Sequence, residues 1–133
     1  MRRFALVLLL CLGGGAAPAF ATEWIDCSDA GHHASFNFLV GTVDVLSISG
    51  LTVTAGKKAW ASQPVYGPGA PILVGQAYED TDTLRVDAMD PGLEAKIAEL
   101  RLFKTSEADG DVIYGGTLHV PGYGAWAVSC DGP

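Results

Sequence analysis

The sequence contains few basic residues and little charge of either sign. Its 133 residues include 8 Lys and Arg against 15 Asp and Glu, which gives a formal net charge of -7. A surface that binds nucleic acid needs net positive charge to neutralise phosphates, so we expect no nucleic-acid partner. Disorder is also excluded, because 49% of the residues are hydrophobic. The length allows one small domain.

Motifs that carry out catalysis or hold metal ions are missing as well. The chain has no G-x-S-x-G nucleophile elbow, no HEXXH and no EF-hand spacing of carboxylates. One group of potential zinc ligands is Asp26, Asp29, His32 and His33. Adjacent His side chains point to opposite sides of a strand, so we interpret this group as a polar loop. We interpret the acidic segments 79–82 and 107–111 as solvated turns, and we predict a protein that is not an enzyme and has no catalytic residues, cofactor or metal.

Long hydrophobic runs are missing outside the N-terminus. Arg2 and Arg3 precede an apolar run over 4–12, and small residues flank Phe20 at 19–21. This order is typical of a cleavable secretory signal, which we place at 1–21. The apolar run is about half of the roughly 20 residues that a membrane span needs, so we expect no transmembrane segment after cleavage. The predicted location is the periplasm or the exterior, by Sec-type export.

The sequence contains few cysteines, and the predicted export determines whether they form a disulfide. Residues 22–133 would form a single β-rich domain that retains Cys27 and Cys130 but loses two arginines, so its formal charge becomes -9. An oxidising compartment preserves disulfides. We therefore predict an intramolecular Cys27–Cys130 bond, which closes a loop of 104 residues between the first and last strands. Free thiols or an intermolecular bridge are the alternatives.

Short runs of β-branched and aromatic residues between Gly and Pro turns predict a mainly β fold. We expect a small antiparallel β-barrel or sandwich of about seven or eight strands. Gln63–Pro71 is predicted to be a loop, and a bulge or turn is expected near Ser49-Gly50. The predicted strands include residues 23–27, 34–40, 43–54, 72–78 and 83–89, and 57–62 is ambiguous.

The segment after Asp90 allows two interpretations. Asp90 and Pro91 can begin a helix, and we predict at most one short helix near 91–97, followed by a strand over 97–105. A full helix over 91–104 is the alternative.

Two turns set the register of the last strands. A three-residue loop at Ala108-Asp109-Gly110 places Leu100 opposite Leu118, and a loop at Pro121-Gly122-Tyr123 places Leu118 opposite Trp126. With Leu102, these side chains share one face and are predicted to fill the interior.

The best candidate contact surface is the segment around Trp60 and the Pro/Gly loop with Tyr66. Aromatic side chains on a stiff loop can anchor a partner at low entropic cost, with Lys57 and Lys58 beside them. The structural alternative is that Trp60 completes the core.

The size, export, acidity and single end-to-end disulfide resemble those of the small periplasmic lysozyme inhibitors. Their inhibitory loop is rich in Ser and Gly, and the nearest stretch here, 55–58, lacks the Ser. No functional residue is therefore carried over, and the resemblance is architectural. We predict a non-catalytic protein-binding or inhibitor-type module. The alternative is a lipocalin-like barrel that carries a small apolar ligand or lipid.

Overall fold

Residues 22–41 and 44–132 are described by the computed structural model, and most of them lie in β-strands. The predicted leader at 1–21 and the predicted strand residue Val43 lie outside this range. The only helical segment described is a 3-10 turn at Pro64–Tyr66. The strands are β1 (Glu23–Ser28), β2 (Ala34–Val40), β3 (Ile48–Ala55), β4 (Lys58–Ala61), β5 (Ala70–Pro71), β6 (Leu73–Glu79), β7 (Thr83–Met89), β8 (Lys96–Ser106), β9 (Val112–Val120) and β10 (Gly124–Asp131).

All ten strands belong to one sheet in the order β5-β4-β3-β2-β1-β10-β9-β8-β7-β6. Neighbours are antiparallel except for the short β4–β5 pair. β1 pairs with β10 in the middle of this order, and β3 and β6 approach each other from its two sides, so the sheet curls into a nearly closed barrel whose remaining gap lies between β5 and β6. Ile72 alone joins these two strands. It is completely buried, and its N–H donates to the carbonyl of Ala61 at 3.3 Å.

The core lies inside the barrel and follows the two-residue period of the strands. On β8, Ala98, Leu100 and Leu102 are buried, whereas the residues between them face outward. The mainly β prediction is confirmed, with more strands than the seven or eight expected. The largest fully buried apolar side chains are Phe36, Phe38, Leu51, Ile72, Leu84, Leu100 and Leu118.

The predicted hairpin registers are confirmed. Leu100 lies opposite Leu118, which lies opposite Trp126. Gly110 in the β8–β9 loop has φ 95°, the left-handed geometry that the three-residue loop requires. The sheet register also shifts opposite Leu39 and Val40, next to the predicted bulge at Ser49-Gly50.

Cys27 and Cys130 form the predicted disulfide. The two residues are directly opposed on β1 and β10, with their Cα atoms 4.0 Å apart. The bond therefore joins the first and last strands and reinforces their pairing in the middle of the sheet. It is compatible with an oxidising compartment.

The helix predicted near 91–97 does not form. Asp90 does act as a cap, because its Oδ1 accepts the N–H groups of Glu94 and Ala95 at 2.7 and 2.9 Å. The chain nevertheless turns at Leu93, which has φ 56°, and β8 begins at Lys96. Pairing of β8 with β7 and β9 buries its alternating apolar face, which a helix would not do. The full-helix alternative is wrong for the same reason.

The described residues include no helix long and apolar enough to cross a membrane.

Candidate functional site

Since neighbouring strands along the chain are mostly antiparallel, successive connections lie at opposite ends of the barrel. The β2–β3, β6–β7 and β8–β9 connections lie at one end, at residues 41–47, 80–82 and 107–111. We call this end the acidic end. It includes these three connections, the strand residues beside them, the N-terminal part of β1 and the C-terminal end of β10. The β1–β2, β3–β4, β7–β8 and β9–β10 connections lie at the opposite end.

Negative charge is concentrated at the acidic end. It holds ten of the fifteen carboxylates but, among the described residues, two basic side chains, those of Arg85 and Lys104, each three residues from a connection of this end. Its formal charge is therefore -8. The other five carboxylates are accompanied by four Lys and Arg side chains, so the rest of the described chain has a formal charge of -1. The carboxylates of the acidic end belong to Glu23, Asp26, Asp44, Glu79, Asp80, Asp82, Glu107, Asp109, Asp111 and Asp131.

Local hydrogen bonds hold part of this charge in place. Oδ1 of Asp80 accepts the N–H groups of Asp82 and Thr83 at 2.9 and 2.7 Å, and also the Thr83 hydroxyl. These bonds, with those from the two N–H groups as the largest cause, lower the pKa of Asp80 below its ordinary value. Glu79 makes an ion pair with Lys104 at 2.8 Å. Asp80 therefore remains ionised at neutral pH, and Lys104 and Arg85 offset little of the formal charge of the acidic end.

A small cleft opens between the acidic carboxylates. Its volume is about 150 Å³, and Ile25, Leu46, Leu84 and Tyr114 line it together with the acidic side chains of Asp44 and Glu79. Burial is the main cause that raises the pKa of Tyr114; Glu79 adds to the rise and Lys104 opposes it. Ligand pockets for drug-sized molecules are larger, about 300–1,000 Å³. The cleft can hold about five water molecules, or one side chain, at about 30 Å³ per water.

Exposed apolar side chains accompany the charge on the β8–β9 hairpin. Phe103 on β8 is 72% exposed, and Ile113 on β9 is 46% exposed. Val112 is also exposed. The hairpin thus presents both apolar surface and the acidic tip 107–111.

A second group of charges lies on the outer surface of β7–β9 and is internally balanced. Asp87 is only 2% exposed; its Oδ1 lies 2.7 Å from Nη1 of Arg101 and its Oδ2 lies 3.4 Å from Nζ of Lys96. Arg101 Nη1 donates a hydrogen bond to the backbone carbonyl of Leu100, and Oδ1 of Asp87 has an ionic contact with Nη1 without a directed hydrogen bond. Glu99 contacts Lys96 and His119, and the hydrogen bond from His119 is the main cause that lowers the pKa of Glu99. This cluster neutralises itself and stabilises the outer face of the sheet.

Asp29 organises the β1–β2 loop. Its Oδ1 accepts the N–H groups of His33 and Ala34 at 2.7 and 2.8 Å, and its Oδ2 lies 2.9 Å from Nδ1 of His33. The bond from the Ala34 N–H is the largest cause that lowers the pKa of Asp29 to about 2. Asp29 thus acts as a turn-stabilising acceptor. Across the described residues, no three His, Cys, Asp or Glu side chains are grouped to hold a metal ion.

The contact residues predicted from the sequence are not on one surface. Trp60 is 6% exposed and packs in the core, where its ring meets that of Tyr123 edge-on at 5.2 Å. Tyr66 packs edge-on against Trp24 at 5.3 Å, and its ring lies beside Gly50 of β3. Lys57 and Lys58 are exposed at the end opposite to the acidic end, and Lys58 lies over the Trp60 ring. The structure therefore favours the core role for Trp60.

The acidic end is not evident from the sequence because its carboxylates come from five separate segments. A signal was nevertheless present. The acid-rich segments 79–82 and 107–111 are alternate connections of the predicted strands, and alternate connections of an antiparallel barrel share an end. Comparison with protein-family models, curated proteins and solved structures found no match for this chain.

Proposed function

We propose that this chain is an exported, non-catalytic protein-binding module of the inhibitor type, which docks onto a basic protein through its acidic end. The observation that carries the proposal is the partition of charge: a formal charge of -8 at one end of the barrel and -1 elsewhere in the described chain. A charge needed only for solubility has no reason to collect at one end.

The physical consequence of this partition is directed association. A one-signed surface raises the local concentration of oppositely charged partners and orients them during encounter, which raises association rates by about 10–1,000-fold at low salt. Complementary charge also disfavours acidic competitors. The partner surface is therefore expected to be rich in Lys and Arg.

The described interior gives no support to a small-molecule carrier. Phe36, Phe38, Leu100 and Leu118 fill it and are completely buried. The 150 Å³ cleft is smaller than a site for a drug-sized ligand, and the wider surface depressions at the acidic end, of about 350–610 Å³, are lined by more polar than apolar surface, which does not suit a lipid. Native mass spectrometry of chain purified from its own host checks this alternative, which a bound lipid mass would favour.

The proposal is tested by binding to a set of basic proteins. The full chain is expressed with its leader, purified from the exported fraction, and immobilised; intact mass reports whether residues 1–21 have been removed. A basic lysozyme is the first probe because of the architectural resemblance, with several unrelated basic enzymes and several acidic proteins beside it. We expect saturable binding to at least one basic enzyme, loss of that enzyme's activity, and weaker binding as salt rises. If no basic protein binds at low salt, the proposed function is wrong.

A further inference from the structure

The β8–β9 hairpin carries an apolar pair that the fold leaves uncovered. Phe103 is 72% exposed although it lies in the middle of an antiparallel sheet, with Thr83 opposite on β7 and Gly115 opposite on β9. Gly115 has no side chain to cover the ring. A Cβ added there would meet only one atom, the carbonyl oxygen of Val128 at 3.8 Å, so the space beside the ring is open.

Ile113 extends this apolar surface. It pairs with Thr105, two residues from Phe103, so Phe103 and Ile113 are diagonal neighbours on the outward face of the hairpin. Such neighbours are about 7–8 Å apart between Cα atoms, within reach of an aromatic side chain. Ile113 is 46% exposed.

Beyond this pair, the hairpin ends in three carboxylates. Glu107, Asp109 and Asp111 lie in the connection, and all three are exposed. Backbone hydrogen bonds fix the turn, since Glu107 N–H donates to the Asp111 carbonyl at 2.8 Å and Gly110 N–H donates to the Glu107 carbonyl at 3.0 Å. A fixed turn presents its charges without the entropic cost of ordering a loose loop.

We infer that the β8–β9 hairpin is the docking element, with Phe103 and Ile113 as the apolar anchor and the 107–111 tip as the charged border. This inference rests on the proposed function. The occupant is a protein with an apolar pocket bordered by Lys or Arg, because the anchor is aromatic and its border is entirely acidic. Apolar anchors set dissociation rates in such interfaces, whereas border charges set association rates and salt dependence.

The test uses the basic protein that binds most tightly in the set above and compares three variants of the full chain. Phe103→Ala is expected to weaken binding about thirtyfold, mainly through faster dissociation, and to leave the urea midpoint unchanged because the ring is exposed. Leu93→Ala removes an exposed apolar side chain at the opposite end and is the matched control, with unchanged binding. A triple variant, E107Q/D109N/D111N, is expected to slow association and to reduce the salt dependence, with little effect on dissociation.

The outcomes separate this inference from the proposed function. If basic proteins bind and Phe103→Ala binds like the native chain, the hairpin inference is wrong and the proposed function stands. If no basic protein binds, both are wrong. If the chain forms a dimer in sedimentation equilibrium that Phe103→Ala dissociates, the pair is a self-association surface and the inference is overturned.

Discussion

Reduction of the Cys27–Cys130 disulfide should destabilise the protein strongly, because the β1–β10 interface is short. Three residue pairs are in register between these strands, against six between β1 and β2 and seven between β9 and β10. The bond spans a sequence separation of 103. For a loop of this length, chain-entropy models give a stabilisation of about 4.7 kcal/mol. That is a large part of the roughly 5–15 kcal/mol that holds small domains together.

Urea unfolding, followed by tryptophan fluorescence, measures this contribution. With a slope of about 2 kcal/mol per molar urea for a domain of this size, the midpoint should fall by about 2 M when the bond is reduced. Mass spectrometry after thiol alkylation confirms complete reduction, and a C27A/C130A variant is the control that needs no reductant. If the fully reduced chain shifted by less than about 0.5 M, β1 and β10 would be held together by their strand pairing alone and the reasoning would be refuted.

Three further predictions concern the packing and the charged groups. The folded pKa of Asp29, about 2, lies below its ordinary value of 3.8, so its contribution to stability is present above about pH 4 and is lost as the pH falls towards 2. Urea midpoints measured across this window should therefore fall, and Asp29→Asn should flatten the fall. An equal fall of the midpoint in both proteins would contradict this. Gly116→Ala should destabilise the folded protein by about 1–3 kcal/mol, because the added Cβ would lie 1.9 Å from a backbone carbonyl oxygen. Gly115→Ala, at the neighbouring position, should change stability by less than about 0.5 kcal/mol. Equal melting temperatures for the two variants would show that this close approach is absent. Arg101→Met should lower the stability of the folded protein by about 2 kcal/mol, because buried Asp87 is left with Lys96 as its only cation. Adding Asp87→Leu should restore most of that stability. A double variant as unstable as Arg101→Met would argue against the Arg101–Asp87 pair.

The fold of β8 to β10 was largely predictable because local turn chemistry and alternation agree there. Asp109 and Gly110 select the three-residue loop, and that loop is the one that places Leu100 and Leu118 on the same face. The segment after Asp90 misled for a physical reason. Its cap is real, but a cap does not distinguish a helix from a tight turn when the next residues gain more from burial in a sheet.

The candidate site was harder to predict, because it is a property of topology and not of any one segment. Lys57, Lys58 and Trp60 are close in sequence and suggested a contact surface, yet the two lysines lie at the end opposite to the acidic end and Trp60 is buried. The alternation of residues 97–105 predicts Phe103 on the face opposite to Leu100 and Leu102, but its exposure depends also on Gly115, which becomes its neighbour only through the β8–β9 register.

The central claim is that the acidic end binds a basic protein, and the most direct test is the salt dependence of binding in charge variants of the two ends. One variant, D44N/E107Q/D111N/D131N, removes four exposed carboxylates from the acidic end. The control, K57Q/K58Q, changes charge at the opposite end. We predict that the first variant binds its basic partner at least tenfold more weakly at low salt and with a shallower salt dependence, and that the control binds like the native chain. Equal affinities and equal salt dependence for the native chain and the acidic-end variant would contradict the account.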